Sequence, residues 1–492
     1  MPFLPVVLVT DALVFVLVAA VLGFAWFARR REHLLAPWRR VAGSKAGMVA
    51  ATVLAVFVVI GLLDTVHFRP ALPDEPGKPR AYSGDVLSLL DLVVAPLRTR
   101  KEKTYSAPFA THLFAKETIQ LPDGRQVRDF PRLRYGGAHL ADPAQDRAGD
   151  IARKSAFGIA GGALVWGLVA GGLAWRQGRG RGGTAAGWGA IWRGETHVPW
   201  SAVLVALGII LALGGAAVAL APHYHILGTD KVGQDVLYQA LKSIRTGLVI
   251  GTLTTLVMLP FALLLGIMAA YYRGWVDDVI QYLYTTLSSI PGVLLIAAAV
   301  LMMQVYIENH PEVFDTVTAR ADLRLFFLCV ILGITSWTGL CRLLRGETLK
   351  LKELEYIQAA HAFGVRDLRV ITRHILPNVM HIVLIAVVMD FSGLVLAEAV
   401  LSYVGVGVDP SMNSFGTMIN AARLEMAREP MVWWSLTAAF VFMFVLVLAA
   451  NLLADAVRDA FDPRIRLRRG VVGALAGVGK RAQRVEKGGA AA

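Results

Sequence analysis

Charged residues are scarce in this 492-residue chain, where Asp, Glu, Lys and Arg make up 17% and hydrophobic residues 56%. Soluble globular domains average about 25% charged residues. The shortage is concentrated in long runs, and segments 198–222 and 432–450 contain no charge at all. About 20 such residues cross the roughly 30 Å hydrocarbon core of a bilayer as a helix. A soluble enzyme and a disordered protein are therefore excluded. Solid runs also disfavour a β-barrel, whose strands alternate in polarity.

Cysteines are equally few, and the motifs of nucleotide and metal sites are missing. Cys329 and Cys341 are the only two, and twelve helical residues separate them by about 18 Å, too far for a disulfide. The run 477–480 (Gly-Val-Gly-Lys) is not a phosphate-binding loop, because Ala474 and Arg481 stand where that motif needs Gly and Ser or Thr. His223-x-His225 has no third metal ligand nearby. The sequence predicts no catalytic centre, no metal and no cofactor in this chain.

The apolar runs predict an all-α integral membrane protein with about nine transmembrane helices. Hydropathy places these at residues 3–28, 46–66, 155–175, 198–221, 247–271, 279–303, 325–344, 379–402 and 431–454. The first run lacks the preceding basic residues of a secretory signal, so we expect an uncleaved anchor.

The net charge of +13 indicates topology rather than nucleic-acid binding. Basic residues concentrate in four segments that fall on one side if the spans alternate, namely 29–45, 176–195, 342–378 and the tail after 457. Lys and Arg accumulate in cytoplasmic loops. We therefore expect a periplasmic N-terminus and a cytoplasmic C-terminus.

The spans suggest five regions. We place N-terminal transmembrane helices at 1–66, a periplasmic segment at 67–150, a third span with a basic linker at 151–197, a permease-like core at 198–464 and a disordered basic tail at 465–492. The segment 67–150 is nearly neutral, with 13 basic and 11 acidic residues. It is predicted to contain a hairpin at 117–130 and a short interfacial helix at 86–97. It is either a small structured cap or a docking surface for an external partner.

Charges inside spans need an explanation, because a central Asp costs roughly 2.5–3.5 kcal/mol on insertion scales. Asp390 and Glu398 lie about 12 Å apart on roughly one face of a helix. Either they contact a substrate in the transport pathway, or they are buried structural groups, which we favour for Glu398. Asp11 is expected near the outer interface. The glycines of the third span suggest close helix packing: Gly158, Gly162, Gly167 and Gly171.

The segment 350–378 predicts a short helix–turn–helix on the cytoplasmic face. Residues 350–363 favour a helix that Gly364 ends, and Asp367 can cap a second helix ending before Pro377. The small side chains of Ala359 and Ala360 would let another surface approach closely. The alternative is an ordinary basic loop.

This segment resembles the "EAA" loop of binding-protein-dependent ABC importer permeases. The matching positions are Ala359, Ala360, Gly364, Leu376 and Pro377, and Glu355, Arg366 and Asp367 lie in the same segment. Gln358 stands where the family usually has Glu, which removes a charge from that position. The resemblance implies that this loop couples the chain to an ATPase.

Further stretches are similar to the oligopeptide/dipeptide/nickel permease group. They include His225–Asp230, Tyr271–Asp277, Ala397–Ala399 and Ser402–Gly407. The resemblance covers about half of the chain, roughly 225–464, and points to the C-type subunit. It implies a six-helix type I ABC importer permease core, to which the first three spans form an extension.

The resemblance also implies a function. The chain would be the permease subunit of an importer that moves peptides across the bacterial inner membrane, without catalysis of its own. Its partners would be a second permease subunit, two ABC ATPase subunits that bind ATP and Mg²⁺, an extracytoplasmic solute-binding protein and membrane lipid. Alternatives are import of nickel or another small solute by the same architecture, and a non-transporting membrane scaffold or sensor. A membrane enzyme is disfavoured, because no catalytic cluster lies in the spans.

Overall fold

The computed structural model describes residues 3–73, 82–120, 126–180, 182–310 and 316–461. The tail predicted at 465–492, including the run 477–480, lies outside them. The helices are α1 Val9–Ala28, α2 Glu32–Gly43, α3 Lys45–Thr65, α4 Leu89–Val93, α5 Ala95–Thr99, α6 Pro143–Gly178, α7 Thr184–Arg193, α8 Trp200–Leu220, α9 Val236–Tyr272, α10 Trp275–Ser289, α11 Gly292–Asn309, α12 Val317–Ser336, α13 Thr338–Lys352, α14 Glu355–Ala362, α15 Asp367–Val370, α16 Leu376–Val404, α17 Phe415–Glu425 and α18 Trp434–Phe461. The strands are β1 Phe3–Val6, β2 His67–Pro70, β3 Leu87–Ser88, β4 Glu117–Gln120 and β5 Gln126–Asp129.

Among the described residues, eight helices are long and apolar enough to cross a membrane. A ninth span results if α12 and α13, which meet at a 40° bend, are counted as one. The prediction of an all-α membrane protein with about nine spans is confirmed. The hairpin predicted at 117–130 is present as the antiparallel pair β4–β5.

Two spans begin later than predicted. Residues 3–6 form β1, which pairs with β2 in a three-stranded sheet of order β1-β2-β3. The span predicted at 279–303 begins only at Gly292, because the chain breaks between α10 and α11. Ile290 is extended there (φ −88°, ψ 131°), as expected for a residue whose α conformation is disfavoured by the following Pro291.

α9 is the central helix. Asp235 caps its N-terminus by accepting hydrogen bonds from the N–H groups of Leu237 and Tyr238. Its 37 residues rise about 55 Å, longer than a bilayer core. The helix therefore connects two opposite faces of the protein. On the cap side, residues 82–120 and 126–142, which we call the cap, lie beside Asp235. On the loop side, Tyr271 meets the loop of residues 353–366.

The N-terminal spans pack beside this core rather than around it. α3 contacts α9, α18 and α8, whereas α1 contacts α12 and α9. The backbones of α6 and α8 approach closely at Gly158 and Gly162, where an added Cβ would meet carbonyl groups of α8. Gly167 and Gly171 face open space. Only half of the predicted glycine stripe therefore serves packing within the described chain.

A buried ionic cluster joins the extension to the core near the cap side. Arg245 on α9 donates to Asp11 of α1 at 2.6 Å and lies 3.4 Å from Asp322 of α12. His67 binds Asp11 at 2.7 Å, and Thr10 donates to Asp322 through its N–H at 3.0 Å. Asp11 is wholly buried and lies in the first turn of α1, at the cap-side end of that span. The cluster gives α1 a specific attachment that hydropathy does not encode.

The cap is joined to α9 through three buried ionisable side chains. The Nδ1 of His225 lies 2.8 Å from Asp235, and its Nε2 lies 3.4 Å from Glu102. Burial raises the pKa of Glu102, but hydrogen bonds from His225 and from the N–H groups of residues 134–136 lower it by more. The net pKa of Glu102 therefore lies below its ordinary value. Burial lowers the pKa of His225, whereas Asp235 and Glu102 raise it, to about 9 overall. His225 is thus held as a cation between two carboxylates.

This triad predicts a loss of stability in alkali. Because the pKa of His225 is higher in the folded protein, its protonation stabilises the fold. This stabilisation is complete below the pKa of histidine in the unfolded chain, about 6.5. The contribution is lost as the pH rises to about 9. We expect the midpoint of thermal unfolding of the purified protein to fall over this pH range. His225→Gln should flatten the profile, whereas His197→Gln, at an exposed position, should keep it. Parallel profiles for all three proteins would contradict the assignment.

Candidate functional site: the loop between α13 and α16

The loop predicted to couple the chain to a partner is a helical hairpin at the loop side. α13 ends at Lys352, α14 covers Glu355–Ala362 and α15 begins at Asp367. The continuous helix predicted at 350–363 is therefore wrong. Gln358 donates its side-chain N–H to the carbonyl of Glu353 at 3.1 Å, within the break between α13 and α14. The hairpin is short, charged and largely exposed.

Gly364 makes the turn between α14 and α15. Its φ is +72°, a left-handed conformation that costs roughly 1–2 kcal/mol for a residue with a Cβ. A Cβ added there would meet nothing within 4 Å. The glycine is thus required by backbone geometry, and the space in front of it is open.

Two apolar side chains project from this turn. Phe363 is 87% exposed and Leu368 is 72% exposed. Large apolar side chains exposed on both sides of one short turn are candidates for contact with another protein. The sequence does not predict this pair, because hydropathy alone does not separate exposed from buried apolar residues.

Polar contacts fasten the hairpin to α9 and α10. The hydroxyl of Tyr271 donates to Asp367 at 2.8 Å, and Lys352 donates to the carbonyl of Tyr271 at 2.6 Å. Arg345 of α13 makes two parallel bonds to Asp277 of α10, at 2.7 and 2.6 Å. The hydrogen bonds from Arg345 are the main reason that the pKa of Asp277 is lowered. Bidentate pairs of this kind fix orientation as well as distance.

Apolar contacts complete the attachment. Ile357 of α14, Val370 of α15 and Ile375 are fully buried. They belong to one cluster with Leu344 of α13 and Met258 of α9. A force applied to the hairpin would therefore be transmitted to the membrane-spanning helices without slack, because densely packed interiors are stiff.

The remaining motif residues fall on different surfaces of the hairpin. Ala359 is exposed, whereas Ala360 packs partly against the buried cluster. Only one of the two alanines therefore offers an open surface. Glu355 is exposed in the first turn of α14, and Arg366 is the N-cap of α15. The prediction that Asp367 caps this helix is wrong, because its carboxylate accepts from Tyr271.

Pro377 does not end the second helix as predicted. A π-helical turn at Ile371–Ile375 joins α15 to α16, and Leu376 and Pro377 lie in the first turn of α16. Single π-turns inside α-helices are rare and occur frequently at functional sites. The hairpin thus continues directly into a span covering Asp367–Val404.

Asp390 of α16 lines a cavity of about 710 Å³. Met258, Ser336, Met389 and Arg458 of α18 line the same cavity. Asp390 makes no hydrogen bond or ion pair with any described residue. A carboxylate facing a cavity without a partner can bind a polar or cationic group.

Glu398 has a different environment. It is 1% exposed and accepts hydrogen bonds from Ser402 at 2.6 Å and Ser414 at 2.9 Å. Ser414 also caps α17. These contacts join α16 to α17 and resemble those of a structural residue, since buried charges persist where hydrogen bonds satisfy them.

Within the described ranges, no group of three or more His, Cys, Asp or Glu could hold a metal ion. His225 of the His223-x-His225 pair is bound to carboxylates. Cys329 and Cys341 are buried and free, as predicted. The hairpin and the cavity are therefore the candidate sites.

Fold and site together define a multi-pass membrane protein with an exposed, firmly attached hairpin on one face. The profile of the "Binding-protein-dependent transport system inner membrane component" family matches residues 262–467. The glutathione transport system permease protein GsiD of Pectobacterium atrosepticum is 34% identical over 244 residues, covering 49% of this chain and 73% of that protein. This chain belongs to that family of permease components.

Other relatives have similar coverage. The oligopeptide transport system permease protein OppC of Mycobacterium tuberculosis is 33% identical over 50% of this chain and 79% of its own length. The dipeptide transport system permease protein DppC of Bacillus subtilis is 27% identical over 49% and 71%. A solved chain of the MetNI methionine ABC transporter covers 46% of this chain and 96% of its own, with 15% identity and a TM-score of 0.34. That score is too low for comparison of details.

Proposed function

We propose that this chain is the permease subunit of an ABC importer for peptides. The observation that carries the proposal is the hairpin. It exposes Phe363 and Leu368 at the turn made by Gly364, and it is packed firmly against the membrane-spanning helices. Its family membership supports transport, and the names of its relatives, which include oligopeptide, dipeptide and glutathione systems, support peptides. Nickel or another small solute is the second candidate within the same architecture.

The energy comes from partner subunits under this proposal. Two ABC ATPases bind ATP and Mg²⁺, and one of them receives the hairpin in a surface groove. Phe363 and Leu368 supply the apolar contact, and Ala359 lets the partner approach closely. When the ATPases close on ATP, the hairpin moves with its groove and tilts α9, α13 and α16, which opens the pathway toward the other side. The chain itself carries no catalysis.

A second permease subunit and an extracytoplasmic solute-binding protein complete the importer. The loop side is cytoplasmic and the cap side periplasmic in the bacterial inner membrane, with the N-terminus outside and the C-terminus inside. The charge distribution supports this orientation, because the hairpin and the basic segment 29–45 share the loop side. Docking of the solute-binding protein on the cap would reach α9 through Glu102, His225 and Asp235.

Asp390 is our proposed pathway group. Its carboxylate, which has no partner among the described residues, lines the cavity between α16, α12 and α13, where it would bind the amino group of a passing peptide. Glu398, by contrast, holds α16 against α17. A non-transporting scaffold is disfavoured, because such a protein has no need for an exposed hairpin mounted rigidly on the spans.

The proposal is tested by changing the apolar pair. We expect Phe363→Asp/Leu368→Asp to lose its ATPase subunit during purification through a tag on this chain, while the second permease subunit stays bound. Truncating an interface anchor costs about 2 kcal/mol, roughly a thirtyfold loss of affinity. ATP hydrolysis by the purified complex and the stoichiometry of its subunits measure the effect.

Thr184→Asp is the matched control, because it adds a negative charge at an exposed position of α7, away from the hairpin. It should retain the ATPase. If the double variant also retained the ATPase in full, the hairpin would not be the docking site. If the unaltered chain purified with no ATPase, the importer assignment itself would be wrong.

A further inference from the structure

Two apolar cavities separate α1 from α3 within the membrane-spanning region. Their volumes are about 540 Å³ and 300 Å³. They share Leu17, Val21 and Val58 as lining residues, so they adjoin each other, and we call the two together the crevice. It runs along α3 from Ala51 to Thr65, about 21 Å at 1.5 Å per residue.

Apart from Arg245 at its cap-side end, the lining offers nothing to water. Its hydroxyl groups belong to Thr65, Thr252 and Thr255, and each donates to a carbonyl of its own helix. A buried water needs two to four polar partners. The crevice therefore suits hydrocarbon and excludes an aqueous solute.

The helices diverge because each packs on a different part of the core. Leu13 and Val14 of α1 lie against a cluster that includes Leu325 of α12. Phe57 of α3 lies against Ile244 of α9. Several residues that line the gap are exposed in the apolar belt, namely Val21, Val58 and Leu256. The crevice is thus open to the surface that the bilayer covers.

The two ends of the crevice differ in charge. The cap-side end is closed by Arg245, which is already bound to Asp11. The loop-side end lies near the exposed basic residues Arg29–Arg31 and Lys45 at the adjoining ends of α1 and α3. An anionic group is therefore accommodated only at the loop-side end.

We propose that the crevice binds the acyl chain of an anionic phospholipid from the leaflet on the loop side, with the headgroup beside these basic residues. Half of the hydrocarbon core is roughly 15 Å thick. The crevice, at about 21 Å, is longer than this, so it has room for the full length of one acyl chain from that leaflet. The lipid fills the gap between the N-terminal extension and the permease core. This inference does not depend on the transported substrate.

Native mass spectrometry of the complex released from detergent tests the proposal. We expect the unaltered chain to retain a phosphatidylglycerol adduct. Ala51→Phe/Ala55→Phe, which fills the crevice from α3, should lose it. The matched control is Ala19→Phe/Ala20→Phe, at exposed positions of α1 that do not line the crevice, and it should keep the adduct. Equal retention by the two variants would overturn the proposal.

A second measurement covers the case in which the filled variant does not fold. The unaltered complex is placed in nanodiscs that contain phosphatidylglycerol with a photoreactive acyl chain. Cross-links should map to residues 14–22 and 51–65. Cross-links spread over all spans, or equal labelling by a matched phosphatidylcholine probe, would contradict the proposed site.

Discussion

Gly364→Trp will abolish ATP-driven uptake while leaving the protein inserted and assembled with its partner permease. The indole would project from the turn between α14 and α15 into space that is open within this chain. No internal clash therefore prevents folding, but the same space is the proposed contact with the ATPase. We expect at least about a tenfold fall in ATPase affinity, equivalent to 1.4 kcal/mol. Uptake of a labelled peptide by reconstituted vesicles measures the result.

The Gly364→Ala variant distinguishes an effect of side-chain size from an effect of backbone strain. Alanine has the same penalty as tryptophan at φ +72°, roughly 1–2 kcal/mol, but adds only a methyl group. It should retain most of the uptake. Loss of uptake in both variants to the same extent would attribute the effect to strain. Full uptake by the tryptophan variant would refute the docking role of the turn.

Arg245→Leu will strongly destabilise the protein. Arg245 is 4% exposed, and its guanidinium pairs with Asp11 and Asp322. Its removal leaves the buried Asp322 without its cationic partner, and Asp11 keeps only His67. Breaking a buried pair in this way costs roughly 3–5 kcal/mol. The midpoint of thermal unfolding in detergent should fall. A cysteine introduced near Thr10 of α1 should also become accessible to a thiol-reactive probe.

Two further variants make this test specific. Arg153→Leu removes a salt bridge to Asp150 whose arginine is 80% exposed, and exposed pairs contribute about 0–1 kcal/mol. Its unfolding midpoint should hardly change. Arg245→Leu/Asp322→Asn should recover part of the loss, because one stranded charge is removed. If Arg245→Leu melted like Arg153→Leu, the cluster would not hold the extension in place.

The parts of the fold that local sequence encodes were predicted well. Spans follow from apolar runs, because every backbone group in a bilayer must be satisfied inside a helix. The turn at Gly364 follows from the residue itself, since glycine adopts positive φ readily. The split of the predicted span 279–303 follows from Pro291, a signal that was present but outweighed by hydropathy.

The parts that depend on distant residues were not predicted. Nothing near Tyr271 indicates that its hydroxyl binds Asp367, almost a hundred positions away. The triad around His225 likewise needs Glu102 from the cap. The exposure of Phe363 results from the orientation of α14, which is set by burial of Ile357. Such contacts arise from tertiary packing, and a single sequence carries no periodic signal for them.

The most direct test of the account is peptide uptake by vesicles that contain the purified importer. We expect a labelled peptide to accumulate only when ATP is enclosed on the side of the hairpin and the solute-binding protein is present on the opposite side. Accumulation should cease with Phe363→Asp/Leu368→Asp. Accumulation without ATP, or unchanged accumulation by that variant, would contradict the claim that this chain is a permease driven through its hairpin.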